Sequence, residues 1–265
     1  MAGANSKKNK DKVAVRILIG CSVFIIALFV MYGYASRQLN LIDADTLCRN
    51  DTPLVDHTVI LIDRTDPLQG HIADTIFREI NEIKDALPKY AMLSIYEINA
   101  ESAEFMAPEF CLCNPGDGDD ANFLYQAPKM IQQRWEKQFG APLSAALDSL
   151  KMVAVAETSP ILEAIGVVGD LPKFREATNV RRIVIYSDML QNMKWYSQYG
   201  AGKGLNPPAL QLREIIPDLN GVDILVRYIE RSRYSRVQGS EHKALWTEIL
   251  MGLGAKSVEI QRVVG

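Results

Sequence analysis

The run TVILID, residues 58–63, followed by RTDP at 64–67, reads as a buried strand that ends on an acidic side chain and turns at once into a helix. Five continuous β-branched or apolar residues, Thr58 to Ile62, suit a strand covered on both faces. Asp66 before Pro67 is a good N-cap followed by a first helical residue. The helix expected next, 68–87, carries Ile72, Ile76, Ile80, Ile83 and Leu87 at three- and four-residue spacing, so one face is apolar. Pro88 ends it.

Outward from this unit the pattern repeats. Strands are expected at 91–98, 182–187, 222–229 and 257–264, and helical segments at 127–139, 142–156, from Pro160 through ILEAIGVV, 207–217 and 240–253. Short β-rich runs alternating with helix-period segments predict an α/β fold, a mostly parallel central sheet with helices on both faces. Residues 99–126, which include CLCNPGDGDD, form an expected long irregular insertion, and connections of that length are usually functional or flexible.

Upstream, ILIGCSVFIIALFVMYGYA, residues 17–35, contains no charge in nineteen residues. As one helix it spans about 28 Å, close to the ~30 Å hydrocarbon core of a bilayer. Residues 1–16 carry Lys7, Lys8, Lys10, Lys12 and Arg16 against Asp11, whereas the next twenty residues after the apolar run hold only Arg37 and Arg49. The positive-inside bias therefore predicts a basic cytoplasmic tail (1–16), a transmembrane helix (17–35), a juxtamembrane linker (36–57) and an extracytoplasmic domain (58–265), periplasmic in a bacterium. A cleaved signal peptide is the competing reading, but the apolar run is long for one and Ala35 marks a poor cleavage site.

The whole chain has net charge −3. Its first sixteen residues contribute +4, and subtracting that leaves −7 on residues 17–265, which argues against a nucleic-acid partner. Cys21 lies in the membrane segment. Cys48, Cys111 and Cys113 lie in the exported part, where a disulfide joining Cys48 to Cys111 or Cys113 would persist. Zinc is disfavoured, because Cys-x-Cys lacks the usual spacing and His57, His71 and His242 are scattered.

Ligands of open parallel sheets bind at the carboxyl ends of strands, near the point where strand order reverses. Asp63 closes the first strand in VILIDRTD and Asp188 closes another in IVIYSDM, with hydroxyls at Thr65, Thr158 and Ser159. Carboxylates with neutral oxygen donors suit a hard cation, Mg²⁺ or Mn²⁺. These residues resemble the metal-ion-dependent adhesion site of the von Willebrand factor A family, whose motif is Asp-x-Ser/Thr-x-Ser, then a loop Thr, then an Asp after the fourth strand. Asp63 and Thr65 match the first two positions, Ser159 or Thr158 the loop hydroxyl, and Asp188 the last. Pro67 replaces the second motif hydroxyl and Met189 the glycine that often follows the final Asp, so the motif is degenerate. The resemblance covers residues 55–264 by order of elements. It implies a von Willebrand A-like domain that binds another protein, with Asp63, Thr65, Ser159 and Asp188 as metal ligands and a partner's acidic side chain completing the coordination.

Trp195, Tyr196 and Tyr199 follow Asp188 and are expected at the partner-binding surface, since aromatics anchor interfaces; packing back onto the domain is the alternative. Asp117, Asp119 and Asp120 in PGDGDD read as a solvated turn, and RSRYSR at 231–236 as a solvated loop. GAGKG at 200–204 lacks the spacing of a phosphate loop. No nucleophile motif is present, so neither an enzyme nor a small-molecule substrate is expected. The expected role is assembly or recognition at the membrane. A metal-free scaffold is the first alternative, and a haloacid dehalogenase-like hydrolase with Asp63 as nucleophile the second, although that family wants an Asp where Thr65 stands.

Overall fold

The computed structural model describes residues 3–39, 41–65, 70–98, 107–119, 127–150, 156–199, 207, 215 and 218–264. The chain divides into two units, Met1–Asp43 and Ala44–Gly265. The first is built on one long helix, α1 (Gly3–Leu39). Within it Val15–Tyr34 is long and apolar enough to cross a membrane, and none of that stretch is buried.

The second unit is a six-stranded sheet with strands β1 (Asp56–Asp63), β2 (Met92–Ile98), β3 (Pro108–Cys113), β4 (Val180–Ser187), β5 (Val222–Tyr228) and β6 (Ser257–Arg262). Their order is β3-β2-β1-β4-β5-β6. All neighbours run parallel except β2 and β3, which are antiparallel. The mostly parallel α/β class expected from the alternation is thus the architecture observed. Strand order reverses between β1 and β4, which sets Asp63 and Asp188 at the switch point.

Period-two alternation divides each central strand between two cores. Val59, Leu61, Ile183, Ile185, Ile224 and Val226 face one way, onto α5 (Ile161–Asp170), α6 (Pro172–Glu176) and α7 (Ser240–Gly252), through Ile165, Val168, Phe174, Trp246 and Leu250. Ile60, Ile62, Val184 and Tyr186 face the other way. There they meet Ile76 and Ile80 of α2 (Gly70–Asp85) and the segment α3 (Pro128–Trp135), a π turn (Glu136–Gly140) and α4 (Ala141–Ser149), through Phe139, Leu143 and Leu147. At ~25 cal/mol per Å² of apolar surface, each such fully buried side chain contributes roughly 1.5–3 kcal/mol before entropy is counted.

One expectation needs correction here. Within the stretch 99–126, expected to be irregular, PEFCLC forms the antiparallel edge strand β3. Pro108 is tolerated because it opens an edge strand, where its missing N–H breaks no inner ladder. Cys113 at the end of β3 bonds Cys48 in a disulfide, with Cα atoms 4.9 Å apart, and Cys111 stays a free thiol. Of the two pairings left open, the one with Cys113 is therefore observed. The backbone brings it about: Cys113 N donates to Thr46 O at 2.8 Å, drawing the segment before Cys48 alongside the end of β3. The helix expected at 207–217 and the glycines at 200–204 lie almost wholly outside the described residues.

Candidate functional site

The site is assembled by sheet register. β1 and β4 pair as far as Ile62 and Tyr186, so the next residues, Asp63 and Ser187, lie side by side at the carboxyl ends. Ser187 Oγ donates to Asp63 Oδ2 at 2.7 Å. Thr65 donates to Asp63 Oδ1 through its backbone N at 3.0 Å and its hydroxyl at 2.6 Å. Both oxygens of Asp63, which is only 3 % exposed, therefore accept hydrogen bonds from the protein.

Asp188 is buried to the same extent. Its Oδ1 accepts from Leu190 N at 2.9 Å, and its Oδ2 accepts from Arg231 Nε at 2.7 Å. Burial and the neighbouring Asp63 carboxylate push Asp188 well above the usual carboxylate range, against the opposing pull of Arg231. Arg231 lies just beyond β5, in the run expected to be a solvated loop; its side chain is instead turned inward and 17 % exposed. Gln238 holds it there. The Gln238 amide donates to Asp188 O at 3.0 Å and Ile229 O at 2.9 Å, while its carbonyl accepts from Arg231 N at 2.7 Å.

Ser159 reaches the cluster's neighbourhood through backbone pairing with Asn192, in which each N donates to the other residue's O at 3.0 Å. Its hydroxyl is buried and bonds no partner, so it does not cap α5. That task falls to Gln191, whose carbonyl accepts from Leu162 N at 2.9 Å. Three of the four expected ligands, Asp63, Thr65 and Asp188, thus converge with their oxygens already engaged, and only Ser159 has an unpartnered one.

These residues fit a divalent ion poorly. An ion on Asp188 Oδ2 has to displace the guanidinium or sit beside it, where like charges repel by ~4 kcal/mol per unit pair at ~4 Å and an effective dielectric of ~20. Mg²⁺ also keeps near-octahedral geometry at ~2.0–2.1 Å, and donors locked to one another resist that arrangement.

Met189 follows Asp188 with φ 58°, in the left-handed region that favours glycine. The strain is roughly 1–2 kcal/mol, offset by full burial of the Met189 side chain in the core. Trp246 Nε1 fixes the turn by donating to Met189 O at 2.8 Å.

Of the aromatics expected at the partner-binding surface, one is buried and two are half-buried. Tyr196 is buried and its hydroxyl accepts from Gln198 Nε2 at 2.9 Å. Trp195 packs on the core and donates to Glu163 Oε1 at 2.7 Å. Tyr199 is half-buried and meets Tyr234 edge to face at 4.9 Å between centroids. Apolar rings beside a sheet gain more from covering the core than from water, so the alternative of packing back onto the domain describes this loop.

Sequence reasoning missed Ser187, Arg231 and Gln238. Ser187 had a local signal, a hydroxyl immediately before Asp188 at a strand end. Arg231 and Gln238 had none, since both reach Asp188 from more than 40 residues away. A separate groove of about 620 Å³ is lined by Asp56, Glu79, Arg182, Tyr186 and Arg227, away from these residues, and its Arg227 is paired with Glu79.

No family model matches the chain, and no curated protein matches it. Among solved structures, the chain is similar over 81% of its length to von Willebrand factor type A from Catenulispora acidiphila, at 12% identity and a TM-score of 0.41. It is similar over 82% of its length to the human COPII-coat protein Sec24c, at 9% identity and a TM-score of 0.42. It spans 40% and 31% of those two chains, respectively, and neither likeness carries function to this protein.

Proposed function

We propose that this chain is a single-pass, membrane-anchored protein-binding module whose sheet domain lies outside the cytoplasm and acts in assembly or recognition. The observation that carries the reading is the place of the Asp63–Asp188–Arg231 cluster, at the switch point where α/β sheets of this order bind their ligands. The cluster's groups are largely buried and locked to one another, which holds the strand ends above them in one arrangement for recognition. The Cys48–Cys113 bridge supports an oxidising compartment for this unit, and Val15–Tyr34 supports the anchor.

Two forms of this module differ in the cation. In one, Mg²⁺ or Mn²⁺ held by Asp63, Thr65, Ser159 and Asp188 meets a partner's acidic side chain. The contact between Arg231 and Asp188 favours the other, a metal-free scaffold. Crosslinking from intact membranes, with and without a divalent-metal chelator, tests both: capture of the same protein in both arms is expected, and no reproducible captured protein would end the binding-module reading. Single cysteines placed in the sheet domain, with native cysteines replaced, should react with an impermeant thiol reagent in intact cells. Reaction only after lysis would place the domain in the cytoplasm.

A further inference from the structure

We infer that Arg231 supplies, from within the chain, the positive charge that a divalent ion would otherwise bring to Asp63 and Asp188, so that the domain is complete without metal. This deepens the proposed function and rests on its placing the recognition site at these strand ends.

Three observations carry it. Arg231 Nε lies 2.7 Å from Asp188 Oδ2, the oxygen not used by Leu190 N, so the guanidinium stands on the carboxylate face that an ion would use. The contact is built in rather than incidental: Gln238 binds the backbone of Arg231, Ile229 and Asp188 at once, and Ile229 N donates to Ser187 O at 2.9 Å, extending the β4–β5 ladder to the site. The departure of the motif agrees with this, since Pro67 stands where the resembled site has a second hydroxyl ligand. A tethered cation needs neither that ligand nor octahedral geometry. It is also always charged, and its planar donors match a carboxylate.

Arg231 is then a positioning residue, and its loss should unmask a latent cation site formed by Asp63, Asp188, Thr65 and the unpartnered Ser159 hydroxyl. The test uses the full chain in detergent micelles, with Mn²⁺ alone as the probe, followed by paramagnetic resonance and by thermal unfolding. Wild type should leave millimolar Mn²⁺ free and its Tm unchanged. Arg231→Gln should lower Tm by about 5–15 °C, because one charge of a buried pair is left without its partner. Mn²⁺ should restore part of that loss with saturable binding. Arg231→Lys should stay folded and indifferent to Mn²⁺.

Saturable Mn²⁺ binding by wild type that Asp188→Asn removes would overturn the inference. So would an Arg231→Gln chain as stable as wild type, or one that loses stability and ignores Mn²⁺. If Arg231→Gln yields too little folded chain, wild type and Arg231→Lys decide: silence in both supports the tethered cation, and a signal in either that depends on Asp188 refutes it. Partner capture from membranes is read separately, so failure here leaves the binding-module reading standing.

Discussion

At the carboxyl ends of β1 and β4, Asp63, Asp188 and Arg231 form a charged cluster; at the amino ends of β1 and β2, His57, Ser94 and Cys111 form a neutral chain of hydrogen bonds. His57 Nε2 lies 2.8 Å from Ser94 Oγ, which donates to Cys111 Sγ at 3.2 Å, beside the bridge from Cys48 to Cys113. His57 and Asp188 are buried to nearly the same extent. Burial penalises the charged form of each, and that single cause has opposite signs for a base and an acid. It lowers His57 to about 4 and raises Asp188, with help from Asp63, to about 7. One end of the sheet is therefore neutral by deprotonation and covalently tied. The other keeps ionic character only because a guanidinium has been brought in beside it.

The largest expected break in this comparison is at the tied end. The Cys48–Cys113 link closes a sequence separation of 65 residues, and Cys48→Ser should cost about 4 kcal/mol by loop entropy. Urea unfolding of the oxidised chain and the variant measures it, and equal midpoints would show that the bridge is absent. Thiol counting on the unfolded, unreduced chain should find two free groups, Cys21 and Cys111.

Next comes the charged end. Two carboxylates seen alone would repel, so removing Asp188 would be expected to stabilise the metal-free domain. With Arg231 in place, Asp188→Ala instead leaves a largely buried guanidinium without its carboxylate, and should cost about 3 kcal/mol. A variant more stable than wild type at pH 7 without metal would show that the pair does not form.

The pH dependence sharpens the contrast. Stability from the depressed His57 is full above its unfolded pKa of 6.5 and is lost as pH falls toward about 4, which amounts to about 2 kcal/mol by pH 5. Stability from the raised Asp188 is full below its unfolded pKa of 3.8 and is lost as pH rises through about 7. Between pH 7 and pH 5 the advantage of wild type over His57→Gln should therefore shrink, while its advantage over Asp188→Asn should grow. Parallel slopes for the two variants in denaturant titrations would refute opposite titration at the two ends.

The smallest effect belongs to Thr65, whose hydroxyl gives Asp63 one of its hydrogen bonds at 2.6 Å. Thr65→Val should cost about 1–2 kcal/mol and Thr65→Ser much less, because serine keeps the donor. Equal losses in chemical denaturation would point to the lost methyl packing instead.

Local pattern made much of this molecule legible. The apolar run of α1, the alternation of strands and helices, and acidic residues closing β1 and β4 all follow from periods of 2 and 3.6 residues and from composition, which a sequence displays directly. The edge strand β3 was hidden because six residues opening on proline make a weak strand by themselves, and pairing with β2 stabilises them. Among the site residues, Asp63, Thr65 and Asp188 were legible by their place at strand ends, and the unpartnered Ser159 hydroxyl only as a type of donor.

By itself, then, the sequence determined the parallel strands, the class of fold and the two carboxylates at the switch point, since each depends on neighbours within a few residues. Only the tertiary structure decided that Cys113 rather than Cys111 meets Cys48, that Trp195 and Tyr196 turn inward, and that Arg231 crosses to Asp188. Those outcomes depend on contacts between segments tens of residues apart, and a parallel sheet fixes them through the order in which its strands lie side by side, which no local period encodes.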